Sequence, residues 1–263
     1  MLIDAANVLV RALLAPVCAA CRTRLDRPLD GPVCRACWLA IPRLGPPWCD
    51  WCGDMLPAEP RLIPLCPRCL RTPPRFDVAR SAGRYDGPLR DLIHAFKYER
   101  RRVLAAPLAR LVAHAGSELL AGADAVVPVP LHPLRTLHRG FNQADDLAQH
   151  LGRPVWRVLR RTRRGPPQAG LPAADRRDAV DGAFASKSWP AIVPIAGPAG
   201  ALRGTTVVLI DDVMTTGATL DECSRALLDA GAKTVRALTV ARAVAAQPAA
   251  PLWQPHPSTA RRR

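Results

Sequence analysis

Val207 to Thr219 reads VVLIDDVMTTGAT, and this stretch decides the fold. The four aliphatic residues Val207 to Ile210, with no polar break, predict a strand buried on both faces, as in a parallel sheet. Beyond a polar turn, Leu220, Cys223, Leu227 and Leu228 recur at helical spacing, Gly231 supplies a stop, and Val235 to Val240 forms a second apolar run. Strand, helix and strand in that order make a βαβ unit. Ligands of open α/β sheets bind beyond the carboxyl ends of the strands, which is where Asp211, Asp212 and Met214 to Thr219 would lie. The turn has a specific chemistry. Thr215, Thr216 and Thr219 offer hydroxyls, Gly217 lets the backbone approach a ligand, and the N-terminus of the following helix attracts anions. Two adjacent carboxylates would repel a phosphate but suit ribose hydroxyls. The pattern G-x-x-x-x-G-K-[ST] does not occur, so a P-loop ATPase is not supported. Cys223 belongs to the apolar helix face and is expected in the core.

Working outward, Ala125 to Val129 reads as a further buried strand and Arg80 to Tyr85 as a short one. Pro88 to Phe96 predicts a helix leading into Phe96-Lys97-Tyr98. Leu104, Leu108, Leu111, Val112 and Ala115 predict one core-facing helix over Leu104 to Leu120, with His114 a surface or packing residue rather than a ligand. Asn142, with Asp145 three residues on, has the form of an N-cap for a helix whose apolar face runs to Leu151 and which Gly152 closes. Residues 185–203 are broken by Pro and Gly and predict a loop or short hairpin. Val244 to Arg263, rich in Ala and Pro and ending in three Arg, has the composition of a disordered tail.

Before the Pro73-Pro74 break the composition changes. Eight of the nine cysteines form four C-x-x-C pairs: Cys18/Cys21, Cys34/Cys37, Cys49/Cys52 and Cys66/Cys69. Each pair lets one tight turn aim two thiolates at one ion, so two pairs complete a Cys₄ zinc site. Four thiolates leave no open position, which makes the expected role structural. A disulfide framework would need an oxidising compartment, to which nothing in the sequence directs the chain. Spacing allows two combinations of the pairs, first with second and third with fourth, or cross-braced, first with third and second with fourth. The expected organisation is a zinc-binding block over 1–73, an α/β domain over 74–243 and a tail over 244–263.

The chain has 263 residues, 49% of them hydrophobic, which excludes a disordered or fibrous protein. It lacks the roughly 18 uninterrupted apolar residues that a membrane span needs, so no membrane insertion is expected. Asp4 stands where a signal peptide would carry positive charge, and the expected location is the cytoplasm. The net charge of +15 predicts polyanionic partners. That charge lies beyond the zinc-binding block: residues 74–263 hold 28 Lys and Arg against 16 Asp and Glu, while residues 1–73 hold nine against six. Each Cys₄ zinc site would add two negative charges, so the zinc block is not the basic part of the chain, which weakens its reading as a nucleic-acid reader. Residues 153–177 concentrate eight Arg with one acid, Asp175, which suits a pyrophosphate clamp or a nucleic-acid edge.

The stretch VVLIDDVMTTGAT resembles the phosphoribosyl pyrophosphate (PRPP) signature of type I phosphoribosyltransferases. With the four C-x-x-C pairs, Phe96-Lys97-Tyr98, Val127 to Leu131 (VPVPL) and Arg139 to Gln143 (RGFNQ), the order of motifs resembles the ComF family, in which a double zinc ribbon precedes an amidophosphoribosyltransferase-like domain. The resemblance spans roughly residues 14–242. It implies an α/β phosphoribosyltransferase fold, a central mostly parallel sheet flanked by helices and a small hood, for which Phe76 to Lys97 is the candidate. It implies that Asp211 and Asp212 are the catalytic pair and hold the ribose hydroxyls, that Thr215, Thr216, Gly217, Ala218 and Thr219 hold the 5-phosphate, and that Arg135 and Arg139, in the loop from Pro130 to Gly140, approach pyrophosphate. Gln168 and Arg176 would belong to a flexible loop over PRPP. The cofactors implied are structural Zn²⁺ at two sites and Mg²⁺ with PRPP. The family's pattern R-x-x-N-V is broken by Ala179, which bears on turnover more than on PRPP binding. Three functions are compatible with these features: phosphoribosyl transfer linked to DNA uptake in natural transformation, a competence accessory that binds single-stranded DNA beside a helicase, and a PRPP sensor without turnover.

Overall fold

The computed structural model describes residues 2–58, 62–161, 184–186 and 202–243. Four parallel strands make the main sheet, in the order β1 (Val78–Arg84), β6 (Thr234–Arg242), β5 (Thr206–Met214) and β2 (Ala125–Pro128). The strand period of two splits the sheet's apolar residues between two cores. Val208, Ile210, Val126 and Leu238 face one core with Leu92, Ile93 and Phe96 of α4 (Gly87–Tyr98), Leu108 and Val112 of α5 (Ala105–Ala115) and Leu147 of α8 (Gln143–Ala148). Val207, Leu209, Val127 and Ala237 face the other, with Leu220, Cys223 and Leu227 of α9 (Ala218–Asp229). Cys223 is fully buried there, as its place on the helix face predicts. A small antiparallel pair, β3 (Leu159–Arg161) with β4 (Phe184–Ser186), lies over α9.

Several boundaries differ from those the sequence predicts. The single helix expected over Leu104 to Leu120 is two, α5 and α6 (Ser117–Leu120), parted at Gly116. A Cβ there would stand 2.2 Å from a methyl of Leu238, so close contact with the sheet decides this position. Helix α8 ends at Ala148, before Leu151, although Asn142 caps it as predicted by accepting from the Ala144 N–H at 3.1 Å. Residues Pro133–Arg139 form a helix, α7, within what the sequence reads as a loop. The segment Phe76 to Lys97, the candidate hood, is a strand of the main sheet and the helix after it.

The cysteine-rich segment starts with α1 (Leu2–Leu14), followed by two knuckles. In each, one C-x-x-C pair lies in a tight turn and the other opens a short helix: α2 (Arg35–Leu39) after Cys34, and α3 (Pro67–Arg71) after Cys66. The chain between the knuckles covers the outer edge of β1, which would otherwise present unpaired backbone groups. The Leu44 N–H donates to Ala82 O at 3.3 Å, the Arg84 N–H to Pro42 O at 2.8 Å and the Ala79 N–H to Trp51 O at 2.6 Å. Gly53 is needed at this seam, because a Cβ would meet Ala79 O at 2.7 Å. The second knuckle therefore shares a core with the sheet, Cys49, Cys52, Cys66 and Cys69 packing with Phe76, Ala79 and Met214.

Candidate functional site

Asp211 and Asp212 do not lie in a turn, as the sequence suggests, but on β5 itself, two residues before its end at Met214. The strand's pleat points them along different directions near the carboxyl edge of the sheet. Beyond Met214 the chain turns through Thr215 and Thr216 to Gly217, whose φ of +84° is a left-handed conformation that favours glycine. The Thr216 hydroxyl accepts from the Ala218 N–H at 3.4 Å, and α9 begins. Its first-turn N–H groups and dipole make this end attractive to anions.

All nine residues that the resemblance assigns to PRPP come together. Asp211, Asp212, Thr215, Thr216, Gly217, Ala218, Thr219, Arg135 and Arg139 line one cleft of about 350 Å³ at the carboxyl ends of β5 and β2. Arg135 and Arg139 reach it from α7. The Arg139 guanidinium lies 5.0 Å from the centre of the Tyr98 ring and donates to Gln143 Oε1 at 3.0 Å, which fixes its direction. Asn142 ties this corner to the sheet by donating to Val129 O at 3.0 Å. Gln168, Arg176 and Ala179 lie outside the described residues.

Two further cations share the cleft. Lys97, on the last turn of α4, places Nζ 2.7 Å from Asp212 Oδ1. Burial works against its charge, but Asp212 and then Asp211 outweigh that and raise its pKa. Asp211 accepts from the Asp212 N–H at 2.8 Å but has no cation this close among the described residues. The packed protein around it withdraws water, and the neighbouring charge of Asp212 adds to this, so its carboxyl is pushed up to about 7. Arg161, the last residue of β3, lies with its guanidinium 5.3 Å from the Phe184 ring, and its Nε is buried without a hydrogen-bond partner among the described residues. Burial first, and the charge of Arg135 second, lower its pKa. A desolvated guanidinium of this kind is poised for an anion.

For Lys97 the signal lay in the resemblance, of which Phe96-Lys97-Tyr98 is one motif. For Arg161 the sequence contained none beyond membership of an Arg-rich run.

The cysteines form two clusters, Cys18/Cys21/Cys34/Cys37 and Cys49/Cys52/Cys66/Cys69, and within each the four Sγ atoms lie within 4.8 Å of one another. The pairing is thus first with second and third with fourth, and the cross-braced alternative is excluded. A tetrahedral zinc with Zn–S of about 2.3 Å has S···S edges of about 3.8 Å. Cys21 and Cys34 Sγ are 3.8 Å apart, and Cys52 and Cys66 Sγ 3.7 Å, so the donor sets fit two structural zinc sites.

Comparison with known proteins agrees with this geometry. Residues 9–70 match the double zinc ribbon domain and residues 136–251 the phosphoribosyl transferase domain. Competence protein F of Haemophilus influenzae is 32% identical over 238 residues, which cover 86% of this chain and 96% of that protein. The chain belongs to the ComF family. Among ComF relatives, the DNA utilization protein YhgH of Escherichia coli (strain K12) is 35% identical over 223 residues, 80% of this chain and 90% of that protein. Competence protein ComFC of Bacillus subtilis (strain 168) is 35% identical over 118 residues, 44% of each chain. The phosphoribosyl transferase match begins at residue 136 and so omits β1 and α4, which bring Lys97 into the ComF cleft. Among the described residues no helix is long and apolar enough to cross a membrane.

Proposed function

We propose that this cleft binds PRPP and that the chain transfers its phosphoribosyl group. The supporting observation is the convergence in one cleft of the carboxylate pair, the Thr215 to Thr219 turn at the start of α9, and the guanidinium groups of Arg135, Arg139 and Arg161. Asp211 and Asp212 would accept hydrogen bonds from the ribose hydroxyls. Lys97 offsets one of the two charges, so that the pair does not repel the phosphates. The threonine hydroxyls and the backbone N–H groups at the start of α9 would hold the 5-phosphate. The three arginines would face the pyrophosphate, where negative charge accumulates as its bond to C1 breaks and C1 bonds to the acceptor. Mg²⁺ bound with PRPP supplies further neutralising charge, and the carboxylate oxygens of Asp211 and Asp212 fit its preference for hard donors.

Equilibrium dialysis with Mg-PRPP and with ribose 5-phosphate tests this assignment. Saturable PRPP binding, weaker for ribose 5-phosphate because it lacks the group facing the arginines, is the expected result. Failure to bind PRPP would refute it. Release of pyrophosphate in the presence of candidate acceptors then separates a transferase from a sensor.

We propose binding of single-stranded DNA as a second reading, favoured by the basic second domain and by relatives whose names refer to competence and DNA utilization. Arg153 and Arg160 are exposed there. Arg161 is turned toward the cleft, so Arg153→Ala/Arg160→Ala is the informative variant. Its affinity for single-stranded DNA should fall and depend less steeply on salt; an unchanged salt slope would remove DNA from this surface.

A further inference from the structure

The two cysteine clusters differ in what surrounds them. The first has a core of its own, in which Cys18 and Cys37 pack with Leu25. The second belongs to the core of the sheet, and a cavity of about 260 Å³ separates it from the back of the phosphate turn, with Cys52, Cys69 and Arg68 on one side and Thr216, Gly217 and Ala218 on the other.

Beside this cavity, Arg242 links the second cluster to the strand end before the turn. Arg242, the last residue of β6, is 1% exposed and is among the largest fully buried side chains. Its Nη1 donates to Cys52 O at 2.8 Å and contacts Met214 Sδ at 3.1 Å, its Nη2 lies 3.6 Å from Cys52 Sγ, and its Nε donates to Asp54 Oδ1 at 3.0 Å. Met214 is 2% exposed and is the residue immediately before the turn. A Cβ on Gly217 would stand 2.8 Å from Met214 Cε, so the methionine forms the floor on which the turn rests. A continuous line of contacts thus runs from a ligand of the second cluster through Arg242 and Met214 to Gly217.

We propose that Arg242 is a positioning residue for the phosphate turn, and that through it the second zinc site, but not the first, is coupled to PRPP binding. The proposal rests on the assignment of PRPP to the cleft. A Cys₄ zinc site carries two net negative charges, and Arg242 together with Arg68, whose Nη2 lies 3.3 Å from Cys52 Sγ, answers them from the outer shell. If the second knuckle opens on loss of its metal, the buried guanidinium loses its Cys52 acceptors and cannot stay where it is without cost. Met214 and the turn lose their support with it. Coupling between binding sites is reciprocal, so a ligand that holds the turn must also hold the second zinc.

Zinc release from the full-length, zinc-loaded chain to a colorimetric chelator, with and without saturating Mg-PRPP, tests the coupling. Two phases of one zinc each are expected. Mg-PRPP should slow one phase at least tenfold and leave the other unchanged, and Cys18→Ser should remove only the unaffected phase. Arg242→Met should keep two zinc per chain, bind PRPP at least tenfold more weakly and show no protection. The wild-type comparison does not depend on that variant folding. If PRPP binds in a parallel titration but slows neither phase, or both equally, the coupling is refuted and the PRPP site stands. If PRPP does not bind at all, the assignment of the cleft fails, and the proposal with it.

Discussion

Lys97 Nζ and Asp212 Oδ1 stand 2.7 Å apart, joining the last turn of α4 to the carboxyl end of β5, and each side chain is only 14% exposed. Removing one partner of such a pair leaves the other charge desolvated. Lys97→Met is therefore expected to lower stability by about 3–5 kcal/mol. Lys97→Met/Asp212→Leu, which removes both charges, should regain most of that loss. Urea unfolding of the three proteins checks this, and an unperturbed Lys97→Met would show that the pair carries no such strain.

The pH dependence follows from Asp211. Its carboxyl is raised to about 7 in the folded chain, against about 3.9 when unfolded. The folded state thus binds the extra proton between these values. The contribution of Asp211 to stability is largest below about pH 4 and declines as pH rises toward 7. Measured as the difference between wild type and Asp211→Asn, stability should fall across that window and level off above it. The wild-type advantage in PRPP affinity should run the other way, rising as the carboxylate ionises, with a midpoint near 7. A pH-independent difference between the two proteins would contradict the assignment.

Gly217 and Gly204 both have positive φ, +84° and +76°, but only Gly217 has a neighbour that an added methyl would strike. Each alanine substitution should cost about 1–2 kcal/mol for the left-handed backbone. Gly217→Ala should in addition weaken PRPP binding about tenfold, a change of about 1.4 kcal/mol, while Gly204→Ala leaves it unaltered. Parallel titrations of the two variants separate backbone strain from displacement of the turn.

Elemental analysis of the freshly purified chain should find about two zinc per molecule, since both cysteine clusters have tetrahedral S···S spacing. A metal content near one would leave one cluster without its ion, and a content near zero would remove the ribbon assignment altogether.

Much of this was legible in the sequence because the signals were local. Val207 to Ile210 declared a buried strand through an unbroken aliphatic run, the C-x-x-C spacing declared zinc, and Asn142 declared a cap. What escaped depended on partners distant in the chain. Nothing in the run around Gly116 announces that Leu238 would press on it and split a helix. The turn chemistry of Asp211 and Asp212 suggested a loop, whereas pairing with β6 carries the strand through them to Met214. Arg161 reads in the sequence only as one arginine of a run suited to anions, and it is β3 that turns it onto Phe184. Arg242 carried no signal at all, because its partners Asp54, Cys52 and Met214 lie far away in sequence.

The central claim, that the acid pair on β5 and the turn after it form a PRPP site, is tested most directly by calorimetric titration of Mg-PRPP into the wild type and into Asp211→Asn/Asp212→Asn. Saturable binding by the wild type and at least a hundredfold loss in a folded, zinc-loaded double variant is the predicted result. Equal affinity in the two proteins, or no binding by the wild type, would contradict it.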